Sequence, residues 1–389
     1  NKYIKNIYHF LYMLGIYSFN DKPTEDDSVE NKGRTKILLD NNINKDRLNL
    51  SPLDGKKRIL LLVDMYNWSF HNIAKKIKED FIDYTIDILT TVDFYNNTRK
   101  ILTNPYHIYC FFWASPYFKE NELNHIKNIG KYKFGKKSNV FWCMYDNFTW
   151  RIDTDYNKYR KQKLVNNMQH WMKQCDGYFW GSPKIRDNMY NTFKTIKPAA
   201  SCMDGVNTTM FNFKEYDEDI LTKKKLRIGW IGNSDIKTSG IQKGFQEIKK
   251  YVEDLSANFE FCPLDKQIKQ IPHNMVPNYI HNIDIIVCYS TCEGTPNQIL
   301  EGSSCGRCWV STDVGVVNSV YNTIENNPTG IIIKKNEKAF KDALMKLYHN
   351  RELIVEYGKN GRKAIEVKWD WKYRLEGFQR MFNQVLKNW

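Results

Sequence analysis

No apolar run in this chain of 389 residues reaches the roughly 18–20 residues that a membrane-spanning helix needs. There is no long block of Lys and Arg, no short internal repeat and no low-complexity tract. A nucleic-acid role therefore has no motif behind it. Disulfide chemistry is missing too: the nine cysteines are odd in number and lack framework spacing. Cys110, Cys143 and Cys288 sit in apolar, strand-like runs, so the set reads as reduced, buried thiols of a cytoplasmic protein. Cys288, Cys292, Cys305 and Cys308 can be drawn as a zinc site. The last two fall where a helix should end and a strand begin, so no metal is expected.

What the chain has in excess is positive charge and Asn, Lys, Ile and Tyr. The net charge is +14 and the pI about 9.1. Because the cations are scattered, they describe a diffuse basic surface first, and peripheral contact with an anionic membrane second. The composition is that of an AT-rich genome, such as a low-GC bacterium or a large virus, and carries no chemistry. Tyr3 to Phe19 is aromatic and apolar, with Lys5 and His9 inside it. It reads as an interfacial helix or one packed on the body, without the cleavage site of a signal peptide. A start at Asn1 rather than Met is compatible with a longer chain upstream.

Residues 20 to 57 are polar and broken by Pro23, Gly33, Pro52 and Gly55, which predicts a linker. "RILLLVD" then predicts a buried parallel strand. Phe70, Ile73, Ala74, Ile77 and Phe81 recur at helical spacing after it. Strand and helix signals continue to alternate through "YTIDIL", "YHIYCFFW", "NVFWCMYD" and "GYFWGS". A charged stretch, "KEYDEDILTKKK", reads as a hinge. The alternation resumes at "LRIGWIGN" and runs through "FEFCPL", "IDIIVCYS", "RCWVSTDVG" and "GIIIKK". Two successive α/β halves of the doubly wound kind are expected.

The chemistry concentrates in "STCEGTPNQILEGSSCGRCWVSTDVG". A strand ends near Ser290, Glu293 follows in the loop, and Gly294, Thr295 and Pro296 open a helix that carries Glu301. A helix beginning there offers free N–H groups and a positive dipole end to a diphosphate. Glu293 and Glu301 are eight residues apart, roughly 12 Å along a helix axis. That is wider than the roughly 5–9.5 Å used to flank one glycosidic bond. The pair fits two grips on a long ligand, one on a sugar and one on a ribose. The plainer alternative is a loop Glu and an unrelated surface Glu.

The segment resembles the E-x(7)-E motif of retaining GT-B glycosyltransferases, especially glycosyltransferase family 4 (glycosyl transferases group 1). "RIGWIGNSDIKTSGIQKGFQEI" is similar to that family's first strand, loop and Lys-Gly of the second domain. "SCMDGVNTTMF" is similar to its "P-N-G-V-D" segment, and "WDWKYRLEGFQRMFNQVL" to its terminal helix. The resemblance covers about residues 58 to 389 and is strongest after Met203. It implies a GT-B fold of two Rossmann-like doubly wound domains facing a central cleft. The expected divisions are an N-terminal segment and linker over 1–57, an acceptor domain over 58–215, a donor domain over 222–370, and a C-terminal helix over 371–389 that crosses back to the first domain.

By the same resemblance Glu293 contacts the transferred sugar and Glu301 the ribose hydroxyls. Gly294, Thr295, Asn297 and Gln298 hold the diphosphate, and Lys243 pairs with its phosphates. Gly232 lets backbone approach the ligand. Asn233 stands where the family often has Arg, and Lys237 is the replacement cation. On the acceptor side Asp64, Trp68 and Asp146 are candidates, with Ser115 and Pro116 near them. Asp153 to Asp155 mimics a metal-binding DxD without the expected preceding strand, so no metal cofactor is expected. The implied activity moves a hexose-type sugar from a UDP-sugar, or alternatively a GDP-sugar, to a hydroxyl of a glycan, lipid or protein-linked acceptor, with retention. The competing readings are a GT-B nucleotide-sugar epimerase and a catalytically silent glycan- or nucleotide-binding module.

Overall fold

The computed structural model describes residues 50–387, apart from 67–68, 113–119, 146–165, 167–168, 170, 195–198 and 236–239. The aromatic segment of residues 3–19 and the linker up to residue 49 lie outside the described residues. Two parallel sheets organise the rest. The first has six strands, β1 (Lys57–Val63), β2 (Tyr84–Thr90), β3 (Ile108–Phe111), β4 (Asn139–Met144), β5 (Gly177–Trp180) and β6 (Ala199–Ser201), in the order β2-β1-β3-β4-β5-β6. The second contains β7 (Leu226–Gly232), β8 (Phe259–Asp265), β9 (Ile285–Cys288), β10 (Cys308–Thr312) and β11 (Ile331–Ile333), in the order β11-β10-β9-β7-β8. With the C-terminal helix described below, this is the GT-B architecture that the sequence predicts. Among the described residues no helix is long and apolar enough to cross a membrane.

The chain divides into two compact units. One ends at Trp142 and takes in the last residues from Val385; the other runs Cys143–Gln384. In the first, β1 is an apolar run buried on both faces, as a central parallel strand must be. Ile59 pairs in register with Ile86 of β2 and with Ile108 of β3. The helix α1 (Ser69–Asp80) buries Ile73, Ala74 and Ile77, the stripe its spacing predicts. At the start of β1, Arg58 is buried against Asp87 at 3.3 Å, and Tyr106 donates to the same carboxylate at 2.6 Å. A buried ion pair needs such added hydrogen bonds to offset its desolvation.

In the second unit, α2 (Pro183–Phe193) follows β5. Ser182 caps it by accepting from the Ile185 amide at 3.2 Å, and Pro183 opens its first turn. The second sheet is covered by α3 (Phe245–Glu253), α4 (Asn297–Ser304), α5 (Glu337–His349) and α6 (Glu352–Ala364). Its core gathers Trp230, Ile248, Ile285, Val287, Val310, Phe340 and Leu344. The charged stretch before β7 is docked on this lobe by two residues hidden among its charges. Ile220 joins the core, and Tyr216 donates to the Asp284 carbonyl at 2.9 Å while accepting from the Cys308 amide at 2.8 Å.

The return of the chain is also fixed by packing. Val206 and Asp370 form a parallel bridge, Trp369 is fully buried, and its indole donates to Thr323 at 2.8 Å. The last helix, α7 (Glu376–Leu386), lays Phe378 on Phe179 of β5 at 4.5 Å and sets Phe382 edge-on to the same ring at 5.9 Å.

Candidate functional site

Strand order locates the site. β7 runs on to β8 on one side of itself, while β9 pairs on its other side. The loops after β7 and β9 therefore diverge, and such a switch point at the carboxyl ends of parallel strands is where ligands bind in doubly wound sheets. Gly232 ends β7 there. A Cβ on it would lie 2.7 Å from the Trp230 ring and 3.3 Å from the Lys243 stem. Next to it, Asn233 accepts from the Gln267 side chain at 2.7 Å and from the Asp235 amide at 3.1 Å. Ser234 is held by Asp265. These bonds make the loop a formed turn.

The loop after β9 carries the charge. Lys243 Nζ stands 2.7 Å from Glu293 Oε1, and Ser290 donates to the same oxygen at 2.8 Å. Burial acts to lower the Lys243 pKa, but the charge and hydrogen bond of Glu293 outweigh it, so the ammonium is held above its ordinary value. The turn carrying Lys243 is stitched to the same loop. Gln242 donates from its side chain to the Cys292 carbonyl at 2.6 Å, and its carbonyl accepts from the Thr291 amide at 2.8 Å.

The helix α4 begins at Asn297, after the Gly294, Thr295 and Pro296 that the sequence reads as opening it. Pro296 has ψ 87, outside the helical range, and stands as the cap rather than in the first turn. Neither the Asn297 nor the Gln298 amide has a partner among the described residues, as expected for the open end of a helix. Glu301 lies on α4, 14% exposed, and takes a contact of 3.1 Å from His273 Nε2. His273 in turn packs near the Phe211 ring, with centroids 5.3 Å apart. The two glutamates thus have separate partners.

Two glycines let the loop fit. A Cβ at Gly294 would lie 1.9 Å from the Tyr145 carbonyl oxygen. Gly315, after β10, has φ +52, and a Cβ there would lie 2.1 Å from the Gly294 carbonyl oxygen. Thr295 donates to the Gly181 carbonyl at 3.4 Å. Lys184 pairs with Asp313 at 2.7 Å, though both are well exposed, which makes that pair a weak tie.

Lys243, Gly232, Glu293, Gly294, Thr295, Asn297, Gln298 and Glu301 all belong to β7, β9 or the segments that follow them. Lys237, Trp68, Asp146, Ser115 and Pro116 lie outside the described residues, as does the Asp153 to Asp155 triplet. Asp64 is at the carboxyl end of β1, where burial raises its carboxyl to about 6, opposed by the amide of Met65 at 2.7 Å. The four cysteines drawn as a zinc site are buried, and none of them forms a disulfide. Cys305, Cys288 and Cys308 pack in three different apolar clusters. Among the described residues no group of three His, Cys, Asp or Glu is placed to hold a metal. Ser290, His273 and Asp204 were not singled out from the sequence. Only Ser290 sits within the motif itself; the other two reach it through long-range contacts.

Part of the second lobe matches a known family. Residues 240–364 match the family model of glycosyl transferases group 1. That stretch holds Lys243, Glu293 and Glu301, so the second lobe is related to these enzymes. The capsular polysaccharide biosynthesis glycosyltransferase CapM of Staphylococcus aureus is 26% identical over 133 residues, 34% of this chain and 34% of that protein. The chain spans less than half the length of the curated relatives it matches. Among solved structures, the sucrose-phosphate synthase of Thermosynechococcus elongatus superposes with a TM-score of 0.63 at 10% identity, over 86% of this chain and 100% of that one. Anabaena HepE in complex with UDP and glucose gives 0.56 at 9% identity, over 83% and 98%. At these identities the structures bear on the fold, which is GT-B.

Proposed function

We propose that this chain is a retaining glycosyltransferase of family 4 type. It moves a hexose-type sugar from a nucleotide-diphosphate sugar to a hydroxyl of a glycan, lipid or protein-linked acceptor, without a metal ion. A UDP-sugar is the favoured donor and a GDP-sugar the alternative. The observation that carries this reading is the Lys243–Glu293 pair at the switch point between β7 and β9, next to the open amides of α4. The complex of HepE with UDP and glucose supports the donor class at the level of fold.

In this reading the diphosphate sits at the start of α4, against the amides of Asn297 and Gln298. Glu301, about one turn further on, takes the ribose hydroxyls, and His273 yields its place on that carboxylate. Glu293 takes the sugar. Lys243 meets the charge that grows on the departing phosphate as the bond from the anomeric carbon to oxygen breaks. The acceptor oxygen forms its bond on the same face, and its proton passes to the departing phosphate oxygen. Asp64, with its raised carboxyl, is a candidate acceptor contact.

The test is product analysis. The purified chain is incubated with UDP- and GDP-sugars and an acceptor panel in EDTA, and the product is read by NMR. Retained anomeric configuration is expected. An inverted product, or an absolute need for Mg²⁺, contradicts the mechanism. An epimerised sugar nucleotide formed without acceptor identifies an epimerase instead.

A further inference from the structure

Asp204 is a carboxyl that the proposed reaction leaves unused. It is 4% exposed, in the turn after β6. Its Oδ1 has no partner among the described residues, and the carboxyl shares a hydrogen bond with Thr295. The Thr295 hydroxyl also reaches the Gly181 carbonyl at 3.4 Å. A hydroxyl has one hydrogen, so it donates to only one of the two.

The groups around Asp204 supply no counter-charge. Tyr145, at the end of β4, faces it together with the Cys202 and Cys143 thiols. Arg374 lays its stem against Gly205, but its guanidinium lies over the Trp369 ring at 5.0 Å. No ion pair to Asp204 is formed among the described residues. Burial without a cation favours the neutral acid and pushes the carboxyl up to about 8, against the Thr295 hydrogen bond.

We propose that Asp204 is a proton-carrying positioning residue for the donor loop. As the neutral acid it donates to Thr295 Oγ1, Thr295 gives its own hydrogen to the Gly181 carbonyl, and the loop from Glu293 to Pro296 is held where it takes the diphosphate. Loss of the proton reverses the bond at Thr295 and frees the Gly181 carbonyl. It also leaves a buried charge with one unpartnered oxygen, and the loop loosens. This inference rests on the donor-site reading above.

The experiment uses the full chain and its Asp204→Asn variant, whose amide donates to Thr295 and does not titrate. UDP and GDP affinities are measured by calorimetry from pH 6.5 to 9.5. The wild-type affinity is expected to fall by about tenfold across this range, and that of the variant by less than about threefold. Parallel falls overturn the proposal. Thermal stability against pH decides the proton without any ligand. The raised carboxyl contributes stability that is fully present below about 4 and lost as pH rises toward about 8. Asp204→Asn should therefore gain on the wild type over that window; a constant difference overturns the proposal. If stability behaves as expected but no nucleotide binds at any pH, the donor-site reading fails while the proton on Asp204 stands.

Discussion

Glu293→Gln is expected to lower the turnover of sugar transfer by about 10²–10³-fold, the cost of removing one preorganised charge-stabilising group, with the fold intact. The Gln amide has nearly the shape of the carboxylate, and its oxygen still accepts from Ser290. What is lost is the charge that faces Lys243 at 2.7 Å. Lys243→Met makes the complementary change and leaves Glu293, 13% exposed, without its cation. Groups that act as a unit are not additive. The double variant should therefore be little slower than the worse single one. Steady-state kinetics of the three variants, with circular dichroism as the fold control, checks this. Full additivity would mean that the two residues act independently.

Gly294→Ala is expected to cost about 10²-fold in transfer by displacing the loop, and about 1–3 kcal/mol of stability from overpacking. The added Cβ would meet the Tyr145 carbonyl oxygen at 1.9 Å. That oxygen is backbone, so no rotamer change relieves the contact. The carbonyl of Gly294 in turn faces Gly315, where an added Cβ would lie 2.1 Å from it. The loop is confined from two sides and must move as a whole. Kinetics and thermal unfolding together check this; unchanged transfer would show that the loop has slack.

The parts of the site that were legible in the sequence are contiguous in it. A strand, a loop and a helix start within a dozen residues bring Glu293, Gly294 and Asn297 together by local geometry alone. Lys243 was legible only because its turn also matches a family pattern; its bond to Glu293 spans 50 residues. Partners set by tertiary packing had no such signal. His273 meets Glu301 across 28 residues and Thr295 meets Gly181 across 114. Asp204 was visible only as part of "SCMDGVNTTMF", because burial rather than neighbouring sequence sets its chemistry. The alternating pattern was enough for two doubly wound sheets, since β1 from Ile59 to Val63 and the whole of β9 are uninterrupted apolar runs. It was too coarse at Pro296, where ψ decides whether the residue is in the helix or caps it. It also gives no sign that Tyr216 and Ile220, outnumbered by charges between Lys214 and Lys225, dock on the second lobe.

The central claim is that a nucleotide diphosphate is held between Lys243 and Glu301. It is tested most directly by thermal unfolding of the wild type and Glu301→Ala with UDP, GDP, ADP and CMP in EDTA. A ligand at about 100 times its dissociation constant adds about 2.7 kcal/mol to a folded state it binds selectively. Loss of charge-assisted hydrogen bonds to Glu301 removes about 1.5–3 kcal/mol of binding. One nucleotide, UDP first, is predicted to raise the melting temperature of the wild type and to lose most of that effect in Glu301→Ala. A shift that survives the substitution unchanged, or no shift from any nucleotide, would contradict the claim.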